Sequence, residues 1–402
     1  MHSKWHVSLL LKNKTLIVLA HSARTIAQAA KQAGYEVIAV DAFSDLETQD
    51  ACLITHQVPL NEWRFDLSVL VKSLDQLYSQ YPQAEVVFGA GVEYAINYFD
   101  DYPLWHLRGF SASSIRQLCD PRQFFLGLDE LAIPHPKVSF QTTDCVMTND
   151  SSWLLKDAQG SGGCQVRFAA NQAILEHSAA LCLALKQGQY LQQYCQGEAI
   201  SVLVLADRAK LNIIGFNRQQ HEQGSAELPF IYLGLEANIC LPEEQVEQVM
   251  KYLQMLSIKF ELRGLFSLDM MLSANTIKVL ELNPRIPASL EHYQQLLPNT
   301  NLIEAHLHAC RGLEATSLPK ASGRAANRIL FAPYSGRLNE PMEWPEWASD
   351  RPIAGTIFQA GEPICSITAK DNAVSSNEQS QTLAALLESR SRAILQQLNR
   401  IN

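Results

Sequence analysis

The stretch "KTLIVLAHSARTIAQAAKQAGYEVIAVDAF", residues 14–43, constrains the fold more than any other. "KTLIVLA" is an apolar run that reads as a buried strand. "SARTIAQAAKQAG" then puts Ile26, Ala29, Ala30 and Ala33 at helical spacing and stops at Gly34. "EVIAVDAF" is a second strand. A strand–helix–strand unit of this length implies a parallel pair joined by a right-handed crossover. Asp41 stands near the end of the second strand, where dinucleotide folds place an acid, but the turn "AHSART" lacks G-x-G-x-x-G and argues against a nicotinamide site. Further on, "AEVVFGAGVEYAINYF" repeats strand, Gly-x-Gly turn and helix. Such a turn is a natural ligand edge, and equally an ordinary tight α/β turn.

The chain of 402 residues suits two to three domains, and 47% apolar residues are ample for a sizeable core. With 41 acids against 32 bases, the net charge of -9 argues against a nucleic-acid or anionic-membrane surface. Nine scattered cysteines without a C-x-x-C pair read as reduced and mostly core. The N-terminus lacks the features of a signal peptide, and no run reaches the ~18 apolar residues of a membrane span. The expectation is a soluble cytoplasmic protein. A boundary is placed near 115, strands and loops with one helix (171–188) from about 136 to 200, an amphipathic helix at 243–259 and a final helix around 380–398. His306 and His308, two apart on a helix, point away from each other and are not read as a metal pair.

Three stretches carry chemistry. In "RGLFSLDMMLSANTIKVLELN", two strands flank "SANT", and Asp269 and Glu281 are 12 residues apart. An odd-length loop centred on Asn275 makes them cross-strand partners with Cβ atoms roughly 4.5–5.5 Å apart, and puts Asn283 two residues along the same face. A two-residue loop would put them on opposite faces. Facing carboxylates destabilise a sheet unless something offsets the charge, and hard oxygen ligands suit Mg²⁺. Two carboxylates on a wet sheet face would give the same pattern. The Asn-Pro-Arg that follows tilts the reading, because an arginine beside such a site suits a phosphoryl group in transfer. In "WLLKDAQGSGGCQV", a strand delivers Lys156 ahead of a glycine loop able to cradle phosphate. A plain hairpin turn fits equally, and no Walker A order is present. In "YLQQYCQGEAISV", backbone at a turn can read an adenine edge and Glu198 can hold ribose hydroxyls. An ordinary hairpin fits that stretch as well.

The order of these stretches resembles the ATP-grasp superfamily over roughly residues 116 to 310, with D-x₁₁-E-x-N-P-R as its most specific motif. The N-terminal β-α-β unit and the C-terminal "RPIAGTIFQAGEPICSITAKDN" look like the flanks of biotin-carboxylase-like members. "HSARTIAQAAKQAGYEVIAVDAFSDLET" and "ELNPRIPASLEHY" look closest to the carboligase-like branch of archaea and methylotrophic bacteria that includes tyramine–glutamate ligase of methanofuran synthesis.

The resemblance implies an α/β chain, α+β in its ATP-grasp part: a Rossmann-like preATP-grasp domain (1–115), an ATP-grasp domain (116–315, with 136–197 as its lid) and a small, mostly β C-terminal domain (316–402). It implies that Lys156 binds ATP phosphate, with Ser161, Gly162 and Gly163 as the flap. Gln192, Gln193, Tyr194 and Cys195 would form the adenine hinge, and Glu198 would approach the ribose. Asp269, Glu281 and Asn283 would hold one or two Mg²⁺ ions, or Mn²⁺, and Arg285 would stabilise the transferring phosphoryl group. Two departures stand out: Asp157 follows Lys156 where the family often has proline, and Arg122 replaces a family lysine. The implied activity is an ATP-dependent carboxylate–amine ligase acting through an acyl phosphate on small molecules, in a chain that is often dimeric in the relatives. The acceptor is expected between the N-terminal domain and the ATP-grasp core, near Gly89–Glu93 and Arg218 with its neighbours, with "IPASLEHY" helping to shape its pocket. The alternatives are a bicarbonate-activating enzyme of the biotin-carboxylase kind and a non-catalytic nucleotide-binding protein.

Overall fold

The computed structural model describes residues 15–141, 153–169, 185, 188–207, 210–221, 229–273, 276–313, 318–371 and 377–401. The expected opening unit is present: strand Thr15–Ala20, helix Arg24–Gln32 and strand Glu36–Asp41, with the two strands parallel. Its strands are apolar without interruption because each face is covered. Ile17, Leu19, Ile38 and Val40 enter one core, and Leu16, Val18, Val37 and Ala39 enter another. Ile54–Gln57 adds outside Glu36–Asp41. The chain then returns to the far side of the first strand with Glu85–Phe88 and His106–Leu107. Strand order therefore reverses between Thr15–Ala20 and Glu85–Phe88. The crevice beyond the carboxyl ends of two such strands is where open parallel sheets take ligands.

A second sheet has eight strands in the order Thr276–Asn283, Gly264–Ser273, Glu198–Ala206, Leu211–His221, Tyr232–Ile239, Arg324–Phe331, Pro363–Asp371 and Ala348–Ser349. The C-terminal strands do not form a separate sheet: Glu236 and Ala237 pair with Ala326 and Ala325 and carry the central sheet onward. A third sheet of four strands orders Arg167–Phe168, Trp153–Asp157, Gln189–Gln193 and Val138–Ser139. Its strands fall within residues 136–197, the stretch expected as the lid.

Helix Glu243–Phe260 buries Val249, Tyr252, Leu253, Leu256 and Phe260, the stripe its spacing predicts. The helix expected over 171–188 falls mostly outside the described residues. Residue 115 lies inside helix Ala112–Cys119, and Asp120 alone separates that helix from Pro121–Glu130 and caps the latter. No loose linker marks a boundary there. His306 is a core histidine. Its Nδ1 accepts the Leu265 N–H at 2.8 Å, and its Nε2 donates to the Arg108 carbonyl at 2.9 Å. The cysteines depart from expectation: among those described only Cys310 and Cys365 are buried, and all are free. No described helix is long and apolar enough to cross a membrane.

Candidate active site

The three sheets enclose one cavity of about 540 Å³, within the ~300–1,000 Å³ usual for small-ligand sites. Its floor is the Asp269–Glu281 pair. The structure makes them direct cross-strand partners, but by a different route from the odd loop. Ser273 pairs with Thr276, so two residues, 274 and 275, lie between the strands. The loop centre Asn275 is outside the described residues. A bulge between Asp269 and Met270 then leaves Leu280 without a partner and brings Glu281 opposite Asp269. Ser267, Asp269, Met271, Glu281 and Asn283 all line the cavity.

Asn283 donates to Asp269 Oδ2 at 3.2 Å and accepts from Arg285 at 3.1 Å. Burial first, and Glu281 second, push the Asp269 carboxyl up to about 7, against the pull of Gln219, Arg285 and Asn283. Two crowded carboxylates and an amide oxygen are a hard, oxygen-only donor set with excess negative charge. They fit a divalent cation of the Mg²⁺ class. Among the described residues no group of three or more His, Cys, Asp or Glu side chains forms a metal site.

The lid faces this floor. Alternation along Trp153–Asp157 and Gln189–Gln193 turns Leu154, Lys156, Tyr190 and Gln192 toward the cavity. Lys156 reaches Gln192 Oε1 at 3.4 Å and Glu281 at 3.7 Å, and so spans lid and floor. Burial works to lower its pKa, but Tyr190 and Glu281 outweigh burial and hold it above the usual lysine range. The amide nitrogen of Gln192 is buried without a partner. The loop 158–166 does join an antiparallel pair, Trp153–Asp157 with Arg167–Phe168, though the strand resumes at Arg167 rather than Cys164. Ser161, Gly162 and Gly163 line the cavity, and the Gly162 carbonyl accepts the Tyr232 N–H at 2.9 Å. Gly163 has φ +73°, and a Cβ there would lie 1.9 Å from the Phe230 carbonyl oxygen, so only glycine fits.

The hinge stretch is not a hairpin. Gln189–Gln193 belongs to the lid sheet and Glu198–Ala206 to the central sheet, so residues 194–197 cross from one to the other. Gln192, Gln193, Tyr194 and Cys195 line the cavity at this crossing. Glu198 does not. Strand alternation turns it away from Ala199 and Ser201, and it pairs with Arg218, which also meets Glu236 at 3.0 Å. The same alternation removes Arg218 from the cavity and leaves Gln219 there. Arg122 is likewise not brought in: its guanidinium lies 4.1 Å from the centroid of the Phe140 ring, on the exposed side of its helix.

The N-terminal sheet closes the cavity with the ends of its two switch strands. Glu93 pairs with Arg285 at 2.6 Å, and the Ile286 N–H reaches the Phe88 carbonyl at 3.0 Å. Gly91, at φ +88°, leaves room for the His21 ring, which a Cβ would approach to 2.0 Å. Burial pushes the His21 imidazole down to about 4. Sequence reasoning missed His21, Ser22, Arg24, Tyr232 and Asp350, all of which line the cavity, as do Ser289 and Glu291 of "IPASLEHY" and Gln219 beside Arg218. The strand-end position of residues 21–24 was the available signal for three of them. The others come from segments far apart in the chain.

Residues 120–289 match the ATP-grasp domain family. A biotin carboxylase from Campylobacter jejuni superposes with TM-score 0.70 at 14% identity, over 89% of this chain and 87% of that one. This chain has an ATP-grasp fold. An L-amino acid ligase from Bacillus licheniformis shares it, with TM-score 0.68 at 15% identity over 94% and 98% of the two chains. In sequence, the ATP-grasp chain is 26% identical over 220 residues to an uncharacterized protein of Methanocaldococcus jannaschii, covering 54% of this chain and 51% of that one. It is also 26% identical over 275 residues to the carbamoyl phosphate synthase large chain of Thermomicrobium roseum, covering 64% of this chain and 25% of that one. The chain thus spans half the length of one curated relative and a quarter of the other.

Proposed function

We propose that this protein is an ATP-dependent carboxylate–amine ligase. The observation that carries the reading is one cavity in which Asp269, Glu281, Asn283 and Arg285 face Lys156, the Gly162–Gly163 loop and the 192–195 crossing. In this reading the 192–195 segment takes adenine, with the unpartnered Gln192 amide as a donor. Lys156 and the loop N–H groups hold phosphate oxygens. Asp269, Glu281 and Asn283 hold Mg²⁺, which supplies charge neutralisation on the phosphate oxygens when bound. Arg285, kept in place by Glu93, sits where it can stabilise charge on the transferring group. A substrate carboxylate oxygen attacks the γ-phosphorus, the bond to the bridging oxygen breaks, and ADP leaves with the electron pair. The amine nitrogen then attacks the acyl carbon, the C–O bond to phosphate breaks, and phosphate leaves. The flap tied to Tyr232 excludes water from the acyl phosphate.

Support for ligation also comes from the relatives named above, an L-amino acid ligase among them. A finer reading follows the motif "ELNPRIPASLEHY": glutamate joined to an amine, as in methanofuran-type cofactor synthesis. The decisive experiment is hydroxylamine trapping with MgATP across the L-amino acids and short dicarboxylates. One carboxylate giving a hydroxamate with matching ADP supports ligation, and tyramine replacing hydroxylamine with glutamate tests the finer reading. The bicarbonate alternative is favoured by the biotin carboxylase superposition. It predicts ADP release that depends on bicarbonate and yields no hydroxamate.

A further inference from the structure

Beyond Arg285 the cavity ends in a corner built from three distant segments. Arg24, 5% exposed, opens the helix after the first strand. Its guanidinium meets Glu291 at 2.8 Å and Asp350 at 2.8 Å. Asp350 also accepts from Ser22 at 3.0 Å. Ser289, 3% exposed and two residues before Glu291, lines the cavity with its hydroxyl unpartnered, as does Tyr232 with its phenol. The phenol feels Asp269, Glu291 and Arg285 together, so it lies between the floor and this corner.

Charge counting identifies the ligand class. Two carboxylates share one guanidinium, which leaves one negative charge in excess. Behind Asp350, burial and then Asp350 itself push the Asp45 carboxyl up to about 8, so near neutrality it holds its proton and leaves the excess charge of the pair unchanged. An anionic substrate is repelled here and is better placed beside Lys156 and Arg285. A monocation is attracted. The unpartnered Ser289 hydroxyl shows hydrogen-bonding capacity that the chain itself leaves unused.

We propose that this corner is an ammonium subsite: Asp350 and Glu291 hold the protonated primary amine of the acceptor, with Ser289 as a third partner. The proposal rests on the ligase reading and deepens it. A primary amine has a pKa near that of lysine, ~10.4, so it arrives as ammonium and must lose a proton before its lone pair can attack. A carboxylate of the pair accepts that proton. Overall, acyl phosphate and R–NH₃⁺ give amide, HPO₄²⁻ and one H⁺.

The test compares two nucleophiles on the same acyl phosphate. Hydroxylamine is neutral at pH 7.5 and needs no ammonium site, whereas primary amines do. The carboxylate is the one that gives most hydroxamate, and the amine the best of tyramine, putrescine, ethanolamine and the L-amino acids. Asp350→Asn is expected to lower the amide-to-hydroxamate ratio at least tenfold, and Ser289→Ala about threefold. Glu281→Gln is expected to lower both products together and leave the ratio unchanged. Hydroxamate formation itself reports that each variant is folded. An unchanged ratio in Asp350→Asn and Ser289→Ala overturns the subsite while the ligase reading stands. So does a wild-type chain that forms hydroxamate but joins no primary amine. If wild type forms no hydroxamate from any carboxylate, the ligase reading falls, and the subsite with it.

Discussion

The two ends of the cavity each hold a pair of carboxylates, and they are balanced differently. At the floor, Asp269 and Glu281 face each other across two strands, with Lys156 3.7 Å from Glu281 as the nearest cation partner. At the corner, Glu291 and Asp350 are clamped by one arginine. In the proposed reading, a divalent ion would complete the floor. The corner has one guanidinium for two carboxylates, which leaves one negative charge in excess. The same residue type therefore does two jobs, set by whether an arginine stands between the pair.

Removing a floor carboxylate should have the largest effect. Glu281→Gln or Asp269→Asn is expected to cut carboxylate-dependent ADP release by about 10²–10³-fold, read by a coupled assay with MgATP. Full activity would break the comparison at the floor. At the corner, Arg24→Ala leaves two half-buried carboxylates without their cation and is expected to cost about 2–4 kcal/mol in urea unfolding. A loss within ~0.5 kcal/mol would mean that the clamp is not structural.

The pH behaviour should split the two ends in opposite directions. The folded Asp269 pKa, raised to about 7 by burial and Glu281, lies above its unfolded value, so the ion-free chain binds an extra proton when folded. Its contribution to stability is present below pH ~4 and is lost as pH rises toward 7. Melting curves of the metal-free chain should show this slope, and Asp269→Asn should flatten it. Asp350 behaves oppositely. Burial alone would raise its pKa, but Arg24 pulls it below the usual range, so its contribution holds above pH ~4 and is lost as pH falls.

Smaller effects sharpen the picture. Gly163→Ala places a methyl against the Phe230 carbonyl in a strained conformation. It is expected to raise the KM for ATP about tenfold by displacing the flap. Glu281→Gln should also raise the stability of the metal-free chain by about 0.2–1 kcal/mol, because it relieves like charges placed opposite one another. Losing activity while gaining stability is the signature of a floor built for a ligand.

Much of this was legible in the sequence. The apolar runs and helical spacing of residues 14–43 fix the parallel opening, and D-x₁₁-E-x-N-P-R puts two carboxylates, an amide and an arginine in one place. The register was right for the wrong local reason: a bulge at Leu280, which nothing in the pattern announces, does what the odd loop was expected to do. Glu198 and Arg122 do not line the cavity, and their direction was not legible. One step of strand alternation turns Glu198 to Arg218, and a nearby Phe140 ring takes Arg122. Of the corner only "IPASLEHY", with Glu291, was legible: Arg24 and Asp350 look like ordinary surface charges in one dimension and meet Glu291 only after three segments fold together.

The central claim is that a carboxylate oxygen attacks the γ-phosphorus of ATP. Isotope transfer tests it most directly. The carboxylate that supports hydroxamate formation is labelled with ¹⁸O and turned over with MgATP and an amine, and the phosphate released is examined by mass. The account predicts one ¹⁸O per phosphate, matched to one amide. Phosphate that carries no label while ADP accumulates would contradict it.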